Sequence, residues 1–249
     1  LDQYKDDIPV LELPTDFPRP ATRTYKSRRD DYSLDKQLIS SINRIGIQAG
    51  CSLSMTLRAA FEIYLYHLTG QEDLIIGIPT AGQLASGNYE LVGHCANLLP
   101  LRTRINVNHS FRTYLGQRKL ATVDAYEHQR FTFGTLLQKL NLARDKSRVP
   151  LVPMVFNAEM AMDDGVNFEG IKHEMIFNAR EYETFEIFLS IGGSKDIPTL
   201  QWSYNAQLFT ETTIRRMMDD FKFLLELFVV DSSILIKDIV LKSQQSTVE

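Results

Sequence analysis

Apolar positions recur along this chain at two spacings, and the changes between them mark out its elements. Leu34, Leu38, Ile42 and Ile45 fall on one face of a 3.6-residue repeat, which predicts an amphipathic helix. Ser33 reads as its N-cap and Gly50 as its stop. A second helix is expected from about Ser54 to Thr69, with a stripe of Leu57, Phe61, Tyr64, Leu65 and Leu68 that Gly70 ends. DLIIGIP (73–79) is a continuous apolar run between turn residues, the pattern of a strand buried on both faces. LLPLRTRI (98–105) reads as another strand, after the segment AGQLASGN. Ser110 is expected to cap a helix to about Glu127, and Thr132 a short one carrying Phe133, Leu136, Leu137 and Leu140.

The second half changes character. LVPMVFNAEM, IKHEMIFNA, TFEIFLSIGG and TLQWSYN read as successive strands. A last helix starts near Thr210 and presents Ile214, Met217, Phe221, Leu224, Leu225 and Phe228, a stripe that belongs to a core rather than to a cofactor box. At the other end, Pro9, Pro14, Pro18 and Pro20 hold residues 1–20 extended, as a linker crossing a surface. The expected fold class is α/β: one lobe, residues 21–249, with a mixed sheet and helices packed on it.

Composition narrows the function classes. With 44% hydrophobic residues among 249, the chain has enough apolar side chains for a substantial core. A net charge of −4 with both signs interspersed lacks the clustered basic surface that nucleic acid requires. No apolar stretch reaches the ~20 residues of a membrane span, and LDQYKDDIPV has no signal-peptide pattern. A cytoplasmic protein is expected, and this N-terminus reads as a cut point within a longer chain. Cys51 and Cys95 are read as buried free thiols. The histidines His67, His94, His109, His128 and His173 show no metal-ligand spacing, so no metal is expected. The position of His67 near a helix end suggests a favourable interaction with the helix dipole.

Six stretches, in this order, carry a resemblance: LELPTDFPRPA (11–21), IGIPTAGQ (76–83), VGHCANLLPLR (92–102), HQRFTF (128–133), RDKSRVPL (144–151) and WSYNAQLFTETTI (202–214). Together they resemble the condensation domains of nonribosomal peptide synthetases, over residues 10 to 240. The resemblance implies a fold similar to chloramphenicol acetyltransferase, with two lobes meeting in a V around a tunnel. It also implies amide formation between a carrier-bound acyl or peptidyl thioester and a carrier-bound aminoacyl acceptor. The family's HHxxxDG motif is absent from these residues, so the chain is expected to be the carboxy-terminal lobe, inactive alone. That lobe would supply the facing wall, a floor loop and a latch. The implied partners are the amino-terminal condensation lobe, donor and acceptor peptidyl carrier proteins and a neighbouring adenylation domain. No cofactor is expected on this chain itself; phosphopantetheine arms would arrive with the carriers.

No catalytic residue is assigned. Gln83, His94, Asn97, Arg102, His128 and Gln129 are candidates for the substrate channel or the lobe interface. Gln83 stands where many relatives carry an arginine that reaches the HHxxxDG aspartate. A neutral amide cannot form that ion pair, so either neutral bonds hold the lobes or another cation, such as Arg102, takes over. His94 replaces an aromatic residue and either lines the channel or fills a slot near the interface. Asn97 either fixes a turn or faces the pantetheine path, and His128 is read first as a structural hydrogen-bonding residue. Arg144, Asp145 and Arg148 are read as forked donors and a carboxylate that pin a loop. Two alternatives stay open: a non-catalytic carrier-docking scaffold, and a relative of coenzyme-A-dependent acyltransferases.

Overall fold

The computed structural model describes residues 2–83, 87–88, 90–143, 145–158, 168–171, 178–193 and 198–245. Six strands form one sheet: β1 (Ser27–Ser33), β2 (Asp73–Thr80), β3 (Asn97–Arg104), β4 (Met154–Ala158), β5 (Ile187–Gly193) and β6 (Pro198–Asn205). Their spatial order is β1-β6-β5-β4-β2-β3. The pairs β4–β5 and β2–β4 are parallel and the others antiparallel, so the sheet is mixed, as expected. The predicted strand over IKHEMIFNA falls largely outside the described residues.

Helices α1 (Lys36–Gln48), α2 (Leu53–Thr69), α3 (Phe111–Glu127), α4 (Phe133–Leu140), α5 (Glu211–Val230) and the one-turn α6 (Lys242–Gln245) complete the lobe. Their ends follow local chemistry. Hydroxyls of Ser52, Ser110, Thr132 and Thr210 accept from the backbone N–H three residues on, each satisfying an otherwise orphaned donor. Gly70 closes α2 at φ 72°, a left-handed conformation that costs glycine least. Ser33 does not cap α1, because it is the last residue of β1; Asp35 caps it instead, accepting from Gln37 and Leu38 N–H.

The core lies between α2, α5 and one face of the sheet. Residues 56–65 of α2 are all buried, so this helix runs through the interior and not along its edge. Phe61 is the hub, with Phe156, Trp202 and Phe221 rings centred 5.4–5.7 Å away. Alternate residues Leu74 and Ile76, Met154 and Phe156, and Ile187, Leu189 and Ile191 face this layer. The opposite face carries a smaller apolar cluster of Ile75, Val152 and Val155, on which Tyr4, Ile8, Leu98, Phe133 and Leu151 pack. A third feature is ionic. Glu62 is fully buried between α2 and α3 and takes Arg118 Nε at 2.7 Å, Arg58 Nε at 3.5 Å and the Tyr114 hydroxyl at 2.6 Å.

Residues 2–19 are not a loose linker. Leu11 and Leu13 are in the main core. Arg19 forms a two-pronged ion pair with Glu186 at 2.7 and 2.9 Å, and the Asp16 carboxylate accepts from Thr210 N–H and the Thr213 hydroxyl. The prolines set the extended path; apolar side chains and these anchors make it a strap built into the lobe.

Candidate functional site

The segments VGHCANLLPLR and HQRFTF, about thirty residues apart in sequence, form the two walls of one open groove of about 710 Å³. His94, Cys95, Ala96, Asn97 and Leu98 line one side, Gln129, Arg130, Thr132, Phe133 and Gly134 the other, and Gly82 closes an end. Gly82 packs directly on the Cys95 carbonyl, leaving no room for a Cβ. Any other residue there would force its backbone away from the Cys95 wall.

Asn97 joins the walls. Its Nδ2 donates to the carbonyls of Gln129 at 2.8 Å and Phe131 at 3.1 Å, and its Oδ1 accepts from Phe133 N–H at 3.1 Å. Phe133 is the first residue of α4, so its N–H has no partner inside the helix. The first residue of β3 thus caps α4 from outside and ties down the turn between α3 and α4. The Asn97 amide is occupied in fixing that turn, while the residue also lines the groove.

The other candidates divide. His94 is exposed on the groove wall. Gln129 lines the groove and lends its carbonyl to Asn97. Gln83 sits beside Gly82, and its amide donates to the Leu91 carbonyl at 3.4 Å, across the loop. His128 is the C-cap of α3, with an exposed ring whose Nδ1 lies 2.8 Å from the Asp124 carbonyl. That carbonyl is an acceptor only, so Nδ1 carries the proton.

Arg102 is not with them. It lies five residues along β3 from Asn97, about 16 Å at the usual strand rise. Its guanidinium pairs with Asp73 at 2.9 and 2.7 Å and donates to the carbonyls of Gln3 and Asp7, both at 2.7 Å. Four of its five donors are spent inside the lobe, so it is not the cation that replaces an arginine at Gln83; it fastens the strap. Burial pushes the Asp73 carboxyl upward, but hydrogen bonds from Arg102 and Arg104 outweigh this and hold it below its ordinary range.

Arg148 also works on the strap. Its fork meets Glu12 at 2.9 and 3.1 Å, and its Nε lies 3.3 Å from Asp145, whose carboxylate accepts from Ser147 N–H. Arg144 lies outside the described residues, as does His173. At His67, burial pushes the imidazole pKa down against the opposing effect of a hydrogen bond with the Ile236 backbone. Burial likewise pushes the Cys51 thiol up, while Cys95 lines the groove.

Arg130, Thr132, Gly82 and Cys95 were not singled out from the sequence as groove residues. The signal was their place inside motif strings whose other members were chosen. Among the described residues, no helix is long and apolar enough to cross a membrane.

Comparison with known proteins agrees with this architecture. The family model described as "Condensation domain" matches residues 1–249. Gramicidin S synthase 2 of Brevibacillus brevis is 30% identical over 245 residues, which is 98% of this chain and 6% of that protein. The crystal structure of holo-AB3403, a four-domain nonribosomal peptide synthetase bound to AMP and glycine, superposes with a TM-score of 0.84 at 20% identity, covering 92% of this chain and 19% of that one. The X-domain from teicoplanin biosynthesis gives a TM-score of 0.82 at 20% identity, covering 92% of this chain and 53% of the other. The chain therefore spans a small part of the synthetase and about half of the single domain.

Proposed function

The chain belongs to the condensation-domain family, and from that premise we propose that it is the carboxy-terminal lobe of an amide-forming domain in a nonribosomal peptide assembly line. The groove fixed by Asn97 is the observation that carries the reading. It is open along one side, it is built from the two motif segments, and among the described residues its lining holds no buried general base. In this reading the groove is one wall of the reaction channel. The amino-terminal lobe, with its HHxxxDG histidine, closes it from a segment outside these residues. Donor and acceptor carrier proteins deliver thioesters on phosphopantetheine arms, and an adenylation domain neighbours the lobe.

The chemistry explains the division of labour. Amide formation needs a neutral amine held against a thioester carbonyl, and positioning alone supplies roughly 7–11 kcal/mol in well-oriented cases. A rigid wall serves that purpose, and the Asn97 clamp makes this wall rigid. Handling of the amine proton needs a base within hydrogen-bond reach, and oxyanion support needs aimed N–H donors; both are assigned to the opposite lobe.

The test combines the chain with two loaded carrier proteins, with and without a lobe bearing HHxxxDG, and follows the carrier-bound species by mass spectrometry. Amide is expected only when both lobes are present. Product from this chain alone would overturn the assignment of catalysis to the other lobe. No product from either mixture, across several carrier pairs, would favour a docking scaffold.

A further inference from the structure

A separate cavity lies away from the groove, under the strap. Ile8, Val10, Leu142, Val149, Leu151 and Pro153 contribute to the walls of a cavity of about 230 Å³, whose lining also includes Asp145 and Arg148. The lining is mostly hydrocarbon. One wall is built by an unusual piece of backbone: Leu151 has φ +68°, and Val152 N–H donates to the Pro150 carbonyl at 2.8 Å. That is a three-residue turn of the rare form with positive φ at its centre. A bulky residue there is strained, and such strain concentrates at clamps and binding sites. Packing of Leu151 on the cluster of Val152 and Val155 holds it in place.

We propose that this cavity is a binding site for a small, neutral, apolar molecule the size of one substituted ring or a short branched chain. Size and lining set the class. A cavity of about 150 Å³ lined by aliphatic and aromatic groups takes benzene, whereas drug-sized ligands need roughly 300 Å³ or more. The two charged lining residues set the charge. Arg148 is already engaged by Glu12 at 2.9 Å and by Asp145 at 3.3 Å. A bound anion would lose its hydration in a hydrocarbon lining and lie beside those two carboxylates, so anions are disfavoured.

The test uses the purified chain with toluene, and with benzoate as its charged counterpart, read by ligand-observed NMR and by thermal melting. Toluene is expected to show saturation transfer and to raise Tm by about 5–10 °C at a hundredfold excess over its Kd; benzoate is expected to do neither. Val10→Trp, which adds bulk at a half-exposed lining residue, should abolish both toluene effects while leaving the ligand-free Tm within a few degrees. If that variant does not fold, Leu142→Trp, at another lining position, replaces it. The proposal is overturned if toluene gives no signal, if benzoate binds equally well, or if the folded filling variant still binds toluene.

Discussion

Replacing Asn97 is the most informative perturbation, because its side chain makes three hydrogen bonds and all go to backbone groups 32–36 residues away. Each is worth about 0.5–1.5 kcal/mol net, so Asn97→Ala removes at most about 4.5 kcal/mol. The site is only half-buried, and water can replace part of the loss at the two carbonyls. An expected cost is therefore about 2 kcal/mol, a fall in Tm of roughly 4–8 °C for a chain of this size. Asn97→Asp separates the three bonds. Its carboxylate keeps the acceptor for Phe133 N–H but turns a second oxygen on the carbonyls of Gln129 and Phe131. That mismatch disfavours the charged form, raising the folded-state pKa above the unfolded value. The variant should thus regain stability as pH falls into the carboxylate range and lose it as pH rises. Guanidinium melts across pH give the energies, and hydrogen exchange reports the Phe133 amide directly. Protection of Phe133 should fall in the alanine variant and persist in the aspartate one. An alanine variant within about 0.5 kcal/mol of the parent, with unchanged exchange at Phe133, would refute the clamp.

Glu62→Gln should be strongly destabilising, by about 3–5 kcal/mol in a urea melt, because it leaves Arg58 and Arg118 buried without their shared carboxylate. Arg102→Lys should not rescue Arg102→Ala: an ammonium cannot reproduce the fork on Asp73 while also reaching Gln3 and Asp7. Both variants should show early proteolytic cleavage in residues 1–10, read by mass spectrometry. Asp73 should contribute acid lability. Its folded-state pKa is depressed, so its stabilisation is present above the unfolded carboxylate value and is lost as pH falls through the folded one. Asp73→Asn should flatten that part of the stability profile, and an unchanged acid slope would count against it.

Much of the fold was legible because its signals are local. A cap hydroxyl and the N–H it satisfies lie three residues apart, so Ser110, Thr132 and Thr210 mark their helices without tertiary information. Gly70 ends α2 through its own backbone freedom. Ser33 misled because two residues compete to end the strand and begin the helix, and pairing of Ser33 with Thr199 decides the matter from 166 residues away. The motif strings gave the groove's segments and, through their order, the family.

What only the tertiary structure decided is where side chains find partners distant in sequence. Asn97 looked equally suited to a turn or a ligand, because an amide offers the same donors and acceptor to either; the fold placed backbone groups in reach of all three bonds. Arg102 belonged by spacing to the groove motif, yet strand geometry carried it about 16 Å along β3 and into contact with the strap. Beyond the 3-10 turn at Asp2–Tyr4, the prolines account for the extended path towards residue 20, but not for the entry of Leu11 and Leu13 into the core. Local patterns state what a segment prefers to be. Which groups it meets depends on the packing of the whole lobe, and burial then fixes whether a polar side chain acts as a fastener or stays available for chemistry.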